Sequence, residues 1–131
     1  MTVGLSSANV ATPWLNFFRG TNTTTAPASL YAELHTADPG AAGTTSVSVG
    51  SATRNSFTFA APSGNALALS GAPAAWTNGG TSETLTHVAI WSASTAGTFF
   101  FSAALTSSQA WASGNTFTLT SLSVSLSPIA A

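Results

Sequence analysis

Across residues 30–35 the side chains alternate, Leu30, Ala32 and Leu34 against Tyr31, Glu33 and His35. This is the period of two of a half-buried strand. Asp38-Pro39-Gly40 ends it with a turn signal. Residues 41–51 are small and polar, suited to a loop or a weak edge strand. Strands return around Phe57 and Phe59, around Leu67 and Leu69, then over 85–91 and 98–105. Ser63-Gly64-Asn65, Asn78-Gly79-Gly80 and Thr95-Ala96-Gly97 mark the turns. After Ser113-Gly114-Asn115 the stretch 116–126 changes phase. Phe117 and Leu119 share one parity, and Leu122, Val124 and Leu126 take the other. A strand cannot switch faces without an extra residue, so a bulge or kink is expected near Ser121.

Ahead of the strands the period is helical. Over 12–20, Thr12 suits the N-cap, Pro13 the first helical position, Arg19 the negative end and Gly20 a left-handed exit. Pro13 argues against one regular helix running through from Ser7. Val10, Trp14, Phe17 and Phe18 fall on one helix face. For Phe17 and Phe18 the expected role is to plug one end of the β-domain. Trp14, Phe17 and Phe18 are also the candidate assembly contacts, together with the segments 2–7 and 128–131. Six to eight short strands and one early helix predict a mainly β fold, an antiparallel β-sandwich or jelly-roll with one short N-terminal helix. The expected division is a single domain, with 1–20 as the N-terminal segment, 29–126 as the β-sandwich and 127–131 as a tail.

Charge narrows the functions. Only 4% of the 131 residues are charged, namely Arg19, Glu33, Asp38, Arg54 and Glu83, and there is no lysine. Two arginines cannot neutralise a run of phosphates, which argues against nucleic acid as a partner. A basic membrane-binding patch fails for the same reason, and no apolar run approaches the ~18 residues of a spanning helix. No signal peptide is expected from the opening Met1-Thr2-Val3-Gly4-Leu5-Ser6. With no cysteine, disulfides, thiolate nucleophiles and Cys-type zinc sites are out. Polarity falls instead to 20 serines and 21 threonines. A neutral, hydroxyl-rich surface suits a chain that sits beside other protein.

The candidate chemistry is thin. Serines with His35, His87 and Asp38 supply the residue types of a hydrolase triad, but there is no Gly-x-Ser-x-Gly elbow. Glu33, Asp38 and Glu83 form no visible carboxylate pair, and Glu33 is expected on a solvated or interface face. His35 and Glu33 share a strand face, yet nothing fixes a third metal ligand from His87 or Asp38. His87 reads as a hydrogen-bonded residue of a central strand, because both faces of 85–91 are largely apolar. The expectation is therefore no enzyme, no catalytic or metal residue and no cofactor. Trp76 and Trp111 lie next to turns and are the candidate exposed aromatics for binding a ligand such as a glycan. Thr116, Thr118 and Thr120 align three hydroxyls, and Asn22-Thr23-Thr24 is a glycosylation sequon relevant only in a eukaryotic secretory pathway.

Several segments together resemble one family. They are Leu30-Tyr31-Ala32-Glu33-Leu34-His35-Thr36-Ala37-Asp38-Pro39-Gly40, Ser56-Phe57-Thr58-Phe59-Ala60-Ala61 and Leu85-Thr86-His87-Val88-Ala89-Ile90-Trp91-Ser92-Ala93. Ala103-Ala104-Leu105-Thr106 followed by Gly114-Asn115-Thr116-Phe117 completes the series. In order, they resemble a family of small β-rich structural proteins of tailed bacteriophages, found especially in phages of actinobacteria and labelled tail-fibre or minor structural proteins. The chain departs from it at Ser92, where an acid often follows the aromatic, and at Ala52-Thr53, where an aromatic commonly precedes Arg54. The resemblance implies a non-enzymatic virion component assembled in the bacterial host cytoplasm, with no catalytic residues to carry over. Its partners would be other virion proteins, the major capsid protein or tail proteins, in a homo-oligomer or in many copies per particle. Lacking a coiled-coil shaft, the chain is expected to be a multi-copy capsid decoration or minor capsid protein. The alternative is a tail-fibre or tail-tip module that binds a host receptor or glycan.

Overall fold

The computed structural model describes residues 3–21 and 25–127. The sequon at 22–24 and the segment 128–131 lie outside the described residues, as does Thr2. The strands are β1 (Leu30–His35), β2 (Asn55–Phe59), β3 (Ala66–Gly71), β4 (Trp76–Thr77), β5 (Glu83–Trp91), β6 (Phe99–Trp111), β7 (Thr116–Phe117) and β8 (Ser123–Ser125). Six of them form one sheet in the order β6-β5-β1-β2-β3-β8, and β4 pairs with β7 in a second. Every pairing is antiparallel. The mainly β class with a short N-terminal helix is thus the one the alternation predicts, realised as a sheet curled over its own core.

The inner face carries the alternating apolar set. Ala32, Leu34, Phe57, Leu85, Val88 and Ile90 form the core with Trp76, Trp111, Leu119 and Leu122. One end of the curl is closed by β4 and β7, where the turns 78–80 and 113–115 fold onto each other. Asn78 N–H donates to Asn115 O at 2.9 Å, and Gly114 N–H donates to Asn78 O at 2.8 Å. Asn78, 1% exposed, also donates from Nδ2 to Trp111 O and Thr81 O. The phase shift at 116–126 has its physical reason here. β7 belongs to the small sheet and β8 to the large one, so the chain crosses between sheets over 118–122 and Leu119 and Leu122 both reach the core.

The sheet's outer face is covered in part by the segment 36–51, which is a loop with one bridge, Val47 to His35. Gly43 is required there. Its φ is 73°, and a Cβ would stand 2.4 Å from the Phe99 ring. β6 runs six residues past the predicted limit of 105, with an irregularity opposite Leu85 to His87.

At the N-terminus the structure corrects the expected helix start. A π-helical turn, Ser7–Ala11, leads straight into α1 (Thr12–Phe18). The cap is Ser6, whose Oγ accepts from Asn9 N–H, and Thr12 lies inside the helix. Widening the turn, with Ala11 N–H donating to Ser6 O, lets the chain pass Pro13, which has no donor to offer. The exit is as predicted. Gly20 at φ 74° and the bond from Thr21 N–H to Asn16 O, 3.0 Å, close the helix in a Schellman arrangement.

Candidate docking surface

The charged residues are nearly all spent on structure. Glu33 is buried at 5% exposure within the chain, which corrects its expected place on a solvated or interface face. Arg54 reaches it with Nε 3.1 Å from Oε1 and also donates to Ala96 O, while its guanidinium lies 3.7 Å from the centre of the Trp91 ring. His35 Nδ1 is 2.8 Å from Thr45 O, a carbonyl that can only accept, so Nδ1 carries the proton. Its Nε2 stands 3.5 Å from Glu33 Oε2, an ion-pair distance without a well-formed hydrogen bond. Burial pushes the Glu33 carboxyl up, but the contacts from His35 and Arg54 outweigh it and hold the group below its ordinary value. A guanidinium already seated on the carboxylate leaves no welcome there for a metal cation.

The other candidates are dispersed. His87 pairs with its neighbour, Nδ1 to Thr86 Oγ1 at 2.7 Å, in a strand flanked by β1 and β6. Asp38 Oδ1 accepts from Gly40 N–H and fixes the turn. Glu83 accepts from Ser48 Oγ and from the backbone N–H groups of Val49 and Gly50, so it clamps the loop 48–50. Sequence reasoning missed this clamp and the Arg54–Trp91 stack; the available signal was that five charges must find partners wherever they are buried.

Trp76 and Trp111 are also corrected. They are 1% and 3% exposed, because the turns beside them fold inward to close the core. Trp76 Nε1 donates to Thr53 O and Trp111 Nε1 to Asn115 O. Neither ring is available to a ligand in this fold.

The exposed apolar surface lies elsewhere. Trp14 is 45%, Leu15 69%, Phe17 63% and Phe18 80% exposed, and α1 buries none of its residues. The expected plug is therefore overturned for Phe17 and Phe18, which meet edge-to-face with centroids 5.9 Å apart on the open side of the helix. The reason is where the segment is tied. Ser6 N–H donates to Phe100 O and Ser102 N–H to Gly4 O, and Asn9 Nδ2 reaches Phe99 O, so the chain is fixed along the edge of β6. From that edge only the start of the helical segment reaches the end of the core. Val10 and Trp14 border an apolar groove of about 540 Å³, together with Leu30, Phe59, Leu67 and Phe101 of the sheet. This is the end of the curl where β1 begins and β2 finishes, opposite the tryptophan-closed end. Both edge strands contribute, β6 through Phe100 and Phe101 and β8 through Val124, with Leu126 just beyond. Among the described residues, no charged side chain lines it.

An exposed apolar helix thus lies beside an apolar groove, while Glu33, Asp38, Arg54 and Glu83 hold contacts within the chain and Arg19 stays exposed. Compared with protein families, residues 6–127 match the family described as podophage GP4 fiber I protein gp80. The chain belongs to that family. No curated protein matches it. Membership in the gp80 fiber family makes the chain a phage structural protein and a virion component, in agreement with the resemblance carried by its strands. Among the described residues, no helix is long and apolar enough to cross a membrane.

Proposed function

We propose that this gp80-family chain is a structural module of a phage tail fibre, working by docking onto other virion proteins rather than by chemistry. The observation that carries the reading is the exposed aromatic face of α1, with Trp14, Phe17 and Phe18 as the assembly contacts. Large exposed aromatics cost solubility unless a partner covers them. They are also the residue types that anchor interfaces. The fiber description of the family supports a place in the tail fibre.

Immunogold labelling of intact virions with antibody against this chain tests the placement. Label confined to the tail is the expected result. Label scattered over the head would overturn the fibre placement and make the chain a capsid decoration or minor capsid protein. Particles carrying a Phe17→Ser, Phe18→Ser double variant should lose the chain while the isolated variant remains folded. Full incorporation of that variant would remove α1 from the docking role.

A further inference from the structure

We infer that His35 is a pH-sensitive latch for the loop 36–51. A second proton on its ring, taken up in mild acid, ties it to Glu33 and tightens the loop on the sheet.

The loop is held to β1 around one ring. His35 Nδ1 donates to Thr45 O at 2.8 Å, and Val47 forms a bridge to His35. Thr36 N–H donates to Ser46 O and Ser48 N–H to Leu34 O, both at 2.9 Å. Between these ties Ser46 sits at φ 56°, a left-handed backbone that is unfavourable for a residue with a Cβ. The segment is therefore strained where His35 grips it, and a weaker grip frees it. The stretch 48–50 is clamped separately by Glu83.

The other side of the ring supplies the sensitivity. His35 is 0% exposed, and with the proton on Nδ1 its Nε2 is an acceptor. Nε2 makes no hydrogen bond among the described residues and faces Glu33 Oε2, another acceptor, at 3.5 Å. Two buried acceptors face to face repel each other. One proton on Nε2 turns that repulsion into a charge-assisted bond. Burial works against the Glu33 charge, yet its contacts with His35 and Arg54 hold the carboxyl below its ordinary value. In mild acid it stays ionised and able to accept.

The surrounding charges pull both ways. Arg54, with Nη2 3.4 Å from Oε2, and His87, opposite His35 in the register of β1 with β5, oppose a further positive charge. Arg54 shares its own charge with Ala96 O and the Trp91 ring, and His87 is half-buried with Nδ1 on Thr86 Oγ1. Glu33 is in direct reach, and a carboxylate has lone pairs for two cations at once. The loop itself carries one charge, Asp38, whose Oδ1 is taken by Gly40 N–H.

Amide hydrogen exchange of the full chain tests the latch, corrected for the intrinsic rate at each pH. The comparison runs from about pH 8 to about pH 5.5, where histidine titrates and ordinary carboxylates do not. Protection of the Thr36 and Ser48 amides should rise about tenfold toward the acid end, as one bond to a charged group allows. The Asn78 amide, bonded to Asn115 O at the closed end of the core, should stay level. Loop protection that stays level or falls overturns the inference, and so does a rise that Asn78 shares. His35→Asn can still donate to Thr45 O but cannot titrate, so its profile should be flat, whereas His87→Gln should keep the wild-type rise. A rise kept by His35→Asn and lost in His87→Gln moves the latch to His87 and overturns the assignment. If His35→Asn fails to fold, nitrogen NMR of the wild-type ring decides instead. Nε2 should be bare at the higher pH and protonated at the lower, and a ring in one state at both overturns the inference.

Discussion

Arg54 makes three different contacts, an ion pair to Glu33, a hydrogen bond to Ala96 O and a stack on Trp91. Removing it strands a carboxylate that is 5% exposed. Arg54→Met keeps the aliphatic bulk and deletes the charge, so the expected loss is about 3 kcal/mol, the cost of leaving one partner of a buried pair alone. The pH dependence has a definite sign. Glu33 lies below its ordinary value in the folded chain, so its contribution is present above the unfolded carboxyl value of about 4.3 and is lost as pH falls through the lower folded value. The gap between wild type and Arg54→Met in urea denaturation should therefore be widest near neutrality and narrow in acid. Equal stability of the two proteins at neutral pH would refute the buried-pair account.

At the scale of elements, what the sequence made legible follows its periods. β1 runs over the residues whose alternation predicted it, and the parity change near Ser121 appears as the crossing from β7 to β8. Local chemistry also read true at Gly20, where only a left-handed residue closes the helix. What stayed illegible depended on contacts far apart in the chain. Nothing near Trp76 or Trp111 tells that their turns fold onto each other, and nothing near Phe17 tells that Ser6 is tied to Phe100 and leaves α1 on the rim. Glu33 was misplaced for the same reason, because its partner lies 21 positions away. The groove had no signal in the sequence, since it is built from five strands and the helical segment. A contrast between elements checks this assignment. Phe17→Ser with Phe18→Ser should melt with the wild type, because neither ring is buried, whereas Trp76→Ala should cost about 3–5 kcal/mol by opening the closed end of the core. A large drop in melting temperature for the helix variant would mean that α1 seals the core in solution.

For the whole molecule, the few charges decide how little electrostatic steering a partner would feel. Glu33 and Arg54 neutralise each other, Glu83 is held by Ser48 and the amides of the 48–50 loop, and Asp38 is occupied by its own turn. A net charge of −1 then gives almost no field to steer association or to oppose it. What the helix leaves exposed is apolar, Leu15, Phe17 and Phe18, so an interface built there is apolar too. Such an interface answers to solvent differently from an ionic one. Screening by sodium chloride has nothing to weaken, and a salt excluded from protein surface, such as sulfate, strengthens apolar burial. Release of the chain from isolated virions should thus be the same at low and at high sodium chloride, and lower in sulfate. Dissociation on adding sodium chloride would instead assign the contact to Arg19, the cation that stands free of any acidic partner among the described residues and directly follows α1. The helix would then be held by charge rather than by its aromatics, and Arg19→Ala, not Phe18→Ser, would be the variant that frees the chain.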